Sequence, residues 1–448
     1  MVRREEASRA VPVTADEFAA RMHGVGPFEP RPHIAVGCSG GGDSMALTLL
    51  LQQWTESCQG QVTALIVDHR IRPESTQEAK TVAAWLSQRG VEARVLSRPD
   101  EALQGNLQSA ARDARYSLMF ASCAQAGIPY LALAHNLEDQ AETVLLRLAR
   151  GSGVDGLAAM APVTERPEVR LLRPVLDIPR ARLRATLRSA GQSCIEDPSN
   201  EEEAFKRVRL RRLAPDMAAE GMTPDRLAAT ALRLGRARDA LETATATILA
   251  RSTRLYPEGY GELDIWPLRD APPEIVLRCL SRVLTCIGGG RYPPRLERLE
   301  RLYEAVMCET EPFAGRTLAG CRVMQRRGNL LVCRELRAVR AVCPAAGDVL
   351  WDGRFRIRHA PSSGLDIRRL GRDGWRMVVE RRPELRKCRI PPPVRPSLPA
   401  FWDLDVVAIV PHLNYVRMRR PGAGGIVREI QFAPVRPLTV ASFMVHTD

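Results

Sequence analysis

The chain has 448 residues, and its 65 lysines and arginines outweigh 52 aspartates and glutamates, giving a formal net charge of +13 at pH 7. A chain of this length needs two or three domains, and this charge favours a polyanionic partner. No apolar run could span a bilayer and the N-terminus lacks a signal-peptide core, which argues against membrane and secreted classes and predicts a cytoplasmic protein. The 11 cysteines form no CxxC pair, so we expect no protein-built metal centre.

The first half of the chain alternates strand and helix signals. Strands are predicted at Ile34–Val36, Val62–Val67, Val91–Leu96 and Tyr130–Ala134, and helices from Met45 and over Thr76–Arg89, Asn106–Gln125 and Glu138–Arg150. This alternation predicts an α/β fold with a doubly wound, mostly parallel sheet. Such sheets bind ligands at the carboxyl ends of their strands. Ser39, Asp68 and His135 each follow a predicted strand, so we expect them to converge on one crevice.

The strand–helix alternation stops near Asn200. The sequence then predicts a basic helix over Ala204–Leu213, helices over Thr223–Leu255, Pro273–Thr285 and Pro294–Val306, β-structure over Gly315–Glu335, and short strands after Ala341. We therefore expect three domains: an α/β domain over residues 1–220, a mainly helical domain over 221–340, and a small C-terminal α+β region over 341–448.

A glycine turn, Ser39-Gly40-Gly41-Gly42-Asp43-Ser44, lies between the first predicted strand and helix. Glycines let backbone N–H groups approach an anion, and a helix N-terminus adds partial positive charge, so the turn predicts a phosphate site. No lysine follows the glycines, which excludes the GxxxxGK[ST] loop. The string SGGGDS resembles the PP-loop, SGGxDS, of ATP pyrophosphatases. That resemblance implies that Ser39–Ser44 bind ATP and hold the departing pyrophosphate.

A second polar cluster follows the fourth predicted strand. Asn136 is placed to cap the next helix, with Asp139 at its third position as in a capping box. Glu138, Asp139 and Glu142 lie in the first turns, where the helix dipole favours acids. Helix capping and the helix dipole are enough to explain these residues without any functional role. The alternative is that the carboxylates bind magnesium or a cationic substrate while His135 moves a proton.

The block from Leu131 to Met160, LALAHNLEDQAETVLLRLARGSGVDGLAAM, resembles the AHHxDDQAETxLLRLxRGSGxxGL signature of the tRNA(Ile)-lysidine synthetase family. Other stretches carry the same resemblance: Val67-Asp68-His69 with Arg72 and Ser75; Asn106 with Ala111, Arg112, Arg115 and Tyr116; and Asp197-Pro198-Ser199-Asn200 with Phe205, Arg207, Arg209 and Arg211. The resemblance covers residues 33 to about 215, and little aligns past residue 340.

This resemblance implies a two-step reaction on a CAU-anticodon tRNA(Ile) with ATP, Mg²⁺ and free L-lysine. The C2 oxygen of the wobble cytidine attacks the α-phosphate of ATP, and pyrophosphate leaves. The ε-amine of lysine then attacks C2, AMP leaves, and the product is lysidine, which pairs with A instead of G. Contacts that select the tRNA are expected after residue 220, with arginines in 316–340 and 368–396 as candidates.

The family match also implies roles for individual residues. Asp43 is the magnesium-linked acid, with capping of the following helix as its alternative role. The expected catalytic residues are Asp43, His135, Asp139 and Arg207, and the expected substrate-binding residues are Glu138, Glu142, Arg112 and Arg115. For Arg112 and Arg115, a solvated basic helix face is an equally good interpretation.

The chain departs from the family pattern at four positions. Asn136 replaces a histidine, Glu138 an aspartate, Arg70 a glycine and Val208 an asparagine. Two alternatives therefore stay open: another PP-loop tRNA-modifying enzyme, and a tRNA-binding homologue that has lost activity. A 2-thiocytidine synthetase would need CxxC pairs, which this chain lacks, and an ATP–pyrophosphate assay would separate an inactive binder from an enzyme.

Overall fold

The computed structural model describes residues 10–68, 70, 74–97, 107–166, 168–195, 206–308, 313–345, 347–359, 364–417 and 427–439. The chain divides into two compact units, of which the first ends at Asp239 and the second begins at Ala240. The division into domains near residues 220 and 340 stays a prediction. Within the described ranges, no helix is long and apolar enough to cross a membrane.

The first unit is built around a six-stranded sheet with the order β3-β2-β1-β4-β6-β5. Its strands are β1 His33–Gly37, β2 Gln61–Asp68, β3 Glu92–Ser97, β4 Tyr130–Ala132, β5 Val163–Glu165 and β6 Arg170–Leu172. All neighbours pair in parallel except β5, which is antiparallel to β6. The predicted mostly parallel α/β sheet is therefore confirmed.

Helices cover both faces of this sheet. The helices of the first unit are α1 Ala15–Val25, α2 Gly42–Ser57, α3 Ser75–Gln88, α4 Leu107–Ala126, α5 Leu137–Leu148, α6 Val154–Leu157, α7 Arg180–Ser189, α8 Lys206–Ala219 and α9 Pro224–Ser252, the last of which runs on past Asp239. Successive β1 residues face opposite sides: Ile34 packs with α1, α2, α3 and α7, whereas Ala35 packs with α4. This two-faced burial explains the continuous apolar strands.

The order of strands reverses at β1. The chain runs outward from β1 to β2 and β3, and then returns to place β4 on the other side of β1. A crevice at the carboxyl ends of the strands forms at such a reversal, between the loop after β1 and the loop after β4. The predicted residues Ser39 and His135 lie in these two loops.

The second unit contains helices and antiparallel sheets. Its helices are α10 Trp266–Arg269, α11 Pro273–Gly288, α12 Leu296–Met307 and α13 Gly371–Arg381. Its strands are β7 Thr253–Tyr256, β8 Tyr260–Leu263, β9 Arg316–Leu318, β10 Cys321–Arg326, β11 Asn329–Arg334, β12 Cys343–Pro344, β13 Asp348–Trp351, β14 Phe355–His359, β15 Asp366–Arg369, β16 Pro399–Asp403, β17 Val406–Val410, β18 Tyr415–Val416 and β19 Val427–Phe432.

The sheet β7-β8-β11-β10-β9 is buried on both faces. Leu330 and Val332 of β11 pack with α11 and α12, while Leu331 and Cys333 pack with α13, β16 and β17. The hairpin of β7 and β8 was not predicted, because the helical spacing of leucine and alanine was extended to Leu255. The chain leaves the helix at Ser252 and pairs Thr253 with Leu263 instead.

Five of the 14 residues that line a groove in the second unit are arginines. The groove has a volume of about 770 Å³, and Trp402 and the first residues of α13 lie along it. The arginines of the groove are Arg337, Arg340, Arg368, Arg369 and Arg372. The Arg368 guanidinium carbon lies 5.4 Å from the centre of the Trp402 ring, within range of a cation–π interaction.

Candidate active site

The predicted phosphate turn joins β1 to α2. Gly40 has a φ of +82°, and a Cβ atom there would come within 2.5 Å of Val82 Cγ2, so a larger residue would be strained and crowded. The helix begins at Gly42, not at Met45 as predicted, and Gly41 is its N-cap. Asp43 therefore does not cap the helix. Its carboxylate lies in the first turn, where it has another role.

The two predicted serines close the turn on itself. Ser44 Oγ donates to the Gly41 carbonyl at 2.9 Å and accepts from the backbone N–H of Ser39 at 3.2 Å. The two hydroxyl oxygens are 3.3 Å apart. These contacts hold the turn at the N-terminus of α2, where aligned peptide dipoles favour a bound anion.

Asp43 connects the turn to the second polar cluster. Its Oδ2 accepts from Asn136 Nδ2 at 2.9 Å and from Arg180 Nε at 3.1 Å. Arg180 Nη2 is 3.4 Å from Asp139 Oδ1. One guanidinium therefore bridges a carboxylate after β1 and a carboxylate after β4. Both predicted acids belong to a single site.

Asn136 forms the predicted capping box with Asp139. Its fully buried side chain accepts from the Asp139 N–H at 3.0 Å, while Asp139 Oδ2 accepts from the Asn136 N–H at 3.2 Å. The same amide donates to Asp43. An asparagine can fill this position because its amide offers an acceptor for the cap and a donor for the acid.

Glu138 holds the start of α7. Its two oxygens accept from the backbone N–H of Arg180 at 2.9 and 3.2 Å. Burial raises the pKa of Glu138, although this backbone hydrogen bond opposes the shift. In the described structure, the longer glutamate therefore positions Arg180, which in turn reaches Asp43.

Burial also raises the pKa of Asp43, against the opposing effect of the Arg180 cation and with a further increase from nearby Asp139. The pKa of Arg180 is raised in turn, because these carboxylates outweigh the effect of its own burial. The site therefore keeps its guanidinium charged and holds Asp43 in surroundings that disfavour its ionised form. Such surroundings favour an additional cation beside Asp43.

Glu142 pairs with Arg211 of α8. Arg211 Nε is 2.5 Å from Glu142 Oε1, and its Nη2 is 3.4 Å from Oε2 and 3.8 Å from Asp139 Oδ1. Arg211 belongs to the motif that resembles the family, but the sequence did not assign it to the site. Arg180 was missed altogether, because nothing distinguishes it locally from the other arginines of α7.

Asp68 is the last residue of β2 and lies at the same edge of the sheet, as predicted. Its carboxylate accepts from the hydroxyls of Ser75 and Thr76 at 2.8 and 2.7 Å and from the Arg70 N–H at 3.0 Å. Burial alone would raise the pKa of Asp68, but these hydrogen bonds outweigh it and lower the pKa. Asp68 thus anchors the start of α3. Arg70 takes a φ of +50°, a conformation that the family's glycine adopts with less strain.

Of the other predicted residues, the structure describes the side chains of His135 and Arg115. His135 is half-buried in the loop after β4. Arg115 lies on α4, across the sheet from α2 and α7, with its guanidinium carbon 6.0 Å from the centre of the Tyr116 ring. The following lie outside the described residues: the side chains of Arg112 and Arg207, and the motif positions His69, Arg72, Asn106, Asp197-Pro198-Ser199-Asn200 and Phe205.

Known proteins resemble this chain over most of its length. A family model described as a PP-loop domain matches residues 14–217. The chain is 36% identical over 383 residues to the tRNA(Ile)-lysidine synthase of Ruegeria pomeroyi, covering 85% of this chain and 88% of that protein.

Two further tRNA(Ile)-lysidine synthases show the same similarity. The one from a Bradyrhizobium species is 41% identical over 307 residues, covering 65% of this chain and 85% of that protein. The one from a Methylobacterium species is 40% identical over 337 residues, covering 73% and 96%. With a PP-loop domain and relatives matched over most of their length, this chain belongs to the tRNA(Ile)-lysidine synthase family.

Proposed function

We propose that this protein ligates free L-lysine to C2 of the wobble cytidine in a CAU-anticodon tRNA(Ile), with ATP as the activating substrate. The product, lysidine, changes codon recognition from AUG to AUA. The observation that supports this most is the bridge from Asp43 through Arg180 to Asp139, because it joins a phosphate turn to an acidic cluster in one crevice. The cytoplasm, which supplies tRNA, ATP and lysine together, is the expected location.

In this proposal, Ser39–Ser44 bind the ATP phosphates. Gly40 gives the turn its positive φ of +82°, and the hydroxyls of Ser39 and Ser44 lie 3.3 Å apart within the turn. When the cytidine C2 oxygen attacks the α-phosphate, the α–β phosphoanhydride bond breaks and pyrophosphate leaves. The N-terminus of α2 then stabilises the negative charge that develops on the leaving group.

The residues present fit a Mg²⁺ ion that accompanies ATP. The Asp43 carboxylate is the oxygen donor that a hard cation prefers, and burial raises its pKa despite the nearby Arg180 cation. Among the described residues, no group of three or more histidine, cysteine, aspartate or glutamate side chains could hold a metal. The site therefore suits an ion held largely by phosphates. When bound, that ion would neutralise phosphate charge.

The second step needs a neutral amine at the adenylated C2. The ammonium group of free lysine has a pKa near 10.4 and must lose a proton before it attacks. We assign Asp139 and Glu142 to binding the cationic lysine and His135 to accepting the proton, directly or through water. The amine then forms the C2–N bond, and AMP leaves with the C2 oxygen. Glu138 acts here through Arg180.

The tRNA partner is assigned to basic surfaces in both units. Arg207, Arg112 and Arg115 are the candidates in the first unit, and the arginine groove along Trp402 is the candidate in the second. Five arginines and an aromatic ring suit a phosphate backbone with exposed bases. The ranges 221–340 and 341–448 would then supply the contacts that separate tRNA(Ile) from a methionine tRNA with the same anticodon.

The groove assignment predicts the salt dependence of RNA binding. Arg340 and Arg372 are exposed, so replacing both with alanine should leave the fold intact while removing two cations from the RNA interface. We expect the slope of log affinity against log salt concentration to fall by about 1 for each arginine that binds a phosphate in the wild type. Arg254→Ala, on exposed β7, is the matched control, and filter binding over a salt series is the measurement. An unchanged slope would remove the groove from the tRNA interface.

The activity itself is tested by mixing the protein with ATP, Mg²⁺, labelled lysine and an unmodified CAU-anticodon tRNA(Ile) transcript. We expect label to enter this transcript, with one AMP and one pyrophosphate released for each lysine incorporated. A methionine tRNA transcript is the control and should stay unlabelled. Tight binding of tRNA(Ile) without AMP release would contradict ligation and favour an inactive tRNA-binding homologue.

A further inference from the structure

The Arg211 guanidinium pairs with the Glu142 carboxylate, which the proposed function assigns to binding lysine. Glu142 is only 7% exposed, and both of its oxygens face the Arg211 guanidinium at 2.5 and 3.4 Å. Charge-assisted contacts of this kind, with two nitrogens of one guanidinium, are among the strongest hydrogen bonds in proteins. A lysine ammonium that binds Glu142 must therefore displace this arginine.

The second acid of the pair is engaged as well. Asp139 Oδ1 lies 3.4 Å from Arg180 Nη2 and 3.8 Å from Arg211 Nη2, and its Oδ2 accepts from the Asn136 N–H at 3.2 Å. In the described state, cations of the chain itself therefore satisfy the acidic pair. An incoming cation therefore gains little binding free energy at these acids unless one guanidinium leaves.

Arg211 is better placed to leave than Arg180. The Arg180 backbone is hydrogen-bonded to Glu138, and its helix buries Leu183 and Leu187 in the main core of the first unit. The two side chains are similarly exposed, at 31% for Arg211 and 27% for Arg180, but Arg211 reaches Glu142 from α8, which no such hydrogen bond to Glu138 anchors in the described part of the chain. Its departure would break the interactions with Glu142 and Asp139 without opening that core.

Helix α8 carries a chemical reason for Arg211 to leave. Its first two turns contain a dense set of cations: Lys206, Arg207, Arg209, Arg211 and Arg212. RNA phosphates compete with carboxylates for guanidinium groups, because both bind the same planar set of donors. An RNA backbone drawn to α8 would therefore offer Arg211 a replacement partner.

We propose that Arg211 is a cationic gate on the lysine site. In the RNA-free protein it occupies Glu142 and Asp139 and keeps lysine out; when tRNA engages α8, Arg211 transfers to phosphate and frees both acids. Lysine then binds after tRNA, which prevents the amine from entering a site that holds no adenylated cytidine. This inference rests on the proposed function, since it takes the acidic pair as the lysine site. Linkage requires that lysine strengthen tRNA binding by the same factor.

Equilibrium dialysis of labelled lysine against the full-length protein tests the gate. Without RNA, Arg211→Gln should bind lysine at least about tenfold more tightly than the wild type, because the competing state is removed. Arg236→Gln, which changes an exposed arginine of α9, should bind lysine like the wild type. Adding tRNA(Ile) should raise the lysine affinity of the wild type toward that of Arg211→Gln. The comparison of the wild type with and without tRNA remains valid if the variant folds poorly.

Two results would overturn the gate. One is equal or weaker lysine binding by Arg211→Gln in the absence of RNA, which would make Arg211 part of the lysine pocket. The other is a wild-type lysine affinity that tRNA leaves unchanged. Lysidine formation by the same wild-type preparation is scored separately. Its absence marks a failure of the proposed function, whereas its presence with unchanged lysine affinities marks a failure of the gate alone.

Discussion

Asp43→Asn should lower AMP and lysidine formation by about 10²–10³-fold, the scale of loss when one preorganised electrostatic group is removed from an active site. The same variant should melt at a higher temperature than the wild type. The raised pKa of Asp43 means that the folded chain binds its proton more tightly than the unfolded chain does. Ionised Asp43 therefore reduces the free energy of unfolding at neutral pH. A neutral amide of the same shape relieves this cost while it removes the charge that catalysis needs.

The control is Asp113→Asn, which neutralises an exposed aspartate on α4 and should change neither activity nor melting temperature. Activity is measured as labelled lysine incorporated into tRNA(Ile), and stability by thermal unfolding followed by circular dichroism. An inactive Asp43→Asn that melts below the wild type would mean that Arg180 pairing with Asp43 supports the fold. An active variant would remove Asp43 from the proposed chemistry.

Arg180→Ala should be the most damaging single substitution in the site. It leaves Asp43 and Asp139 partly buried without their shared cation, and removing one partner of a buried ion pair typically costs about 3–5 kcal/mol. In a domain of this size, that loss corresponds to a melting temperature lower by about 6–20 °C. We expect lysidine formation to disappear as well, because the two acids would no longer be held in one geometry.

Two variants test whether this loss comes from the bridge. Arg236→Ala removes an exposed arginine from α9 and should leave stability within about 0.5 kcal/mol of the wild type. Arg180→Lys keeps the charge but replaces the planar fork with a single ammonium group, so it should recover much of the stability and little of the activity. Equal activity in Arg180→Lys and the wild type would contradict a requirement for two-point bridging.

Two arginines are the hydrogen-bonding or ion-pair partners of four acids in the site. Arg180 contacts Asp43 and Asp139 with its side chain and Glu138 with its backbone, while Arg211 pairs with Glu142. Substrates that enter this cluster therefore exchange partners with the chain's own arginines. In our proposal, lysine competes with Arg211 for Glu142. When Arg211 leaves, the acids that it frees bind the lysine.

The local features of the site could be predicted from the sequence. The glycine turn depends on a backbone conformation that few residues adopt, and the Asn136–Asp139 capping box depends on a fixed spacing within one helix turn. Alternating apolar segments likewise predicted the parallel sheet and its functional edge. Helix ends were less accurate: α2 begins at Gly42 because a backbone without side chains can turn directly into the helix there.

The partners of these acids could not be predicted in the same way. Arg180 and Asp43 are 137 positions apart in the sequence, and Arg211 and Glu142 are 69 apart. Each arginine is one of 65 basic residues, with no local pattern to mark it. The sequence by itself determined the glycine turn, the capped acidic helix and the α/β order, because these depend on backbone conformation and short-range hydrogen bonds. Only the tertiary structure decided which arginines neutralise the acids, because that pairing depends on where α7 and α8 pack against α2 and α5.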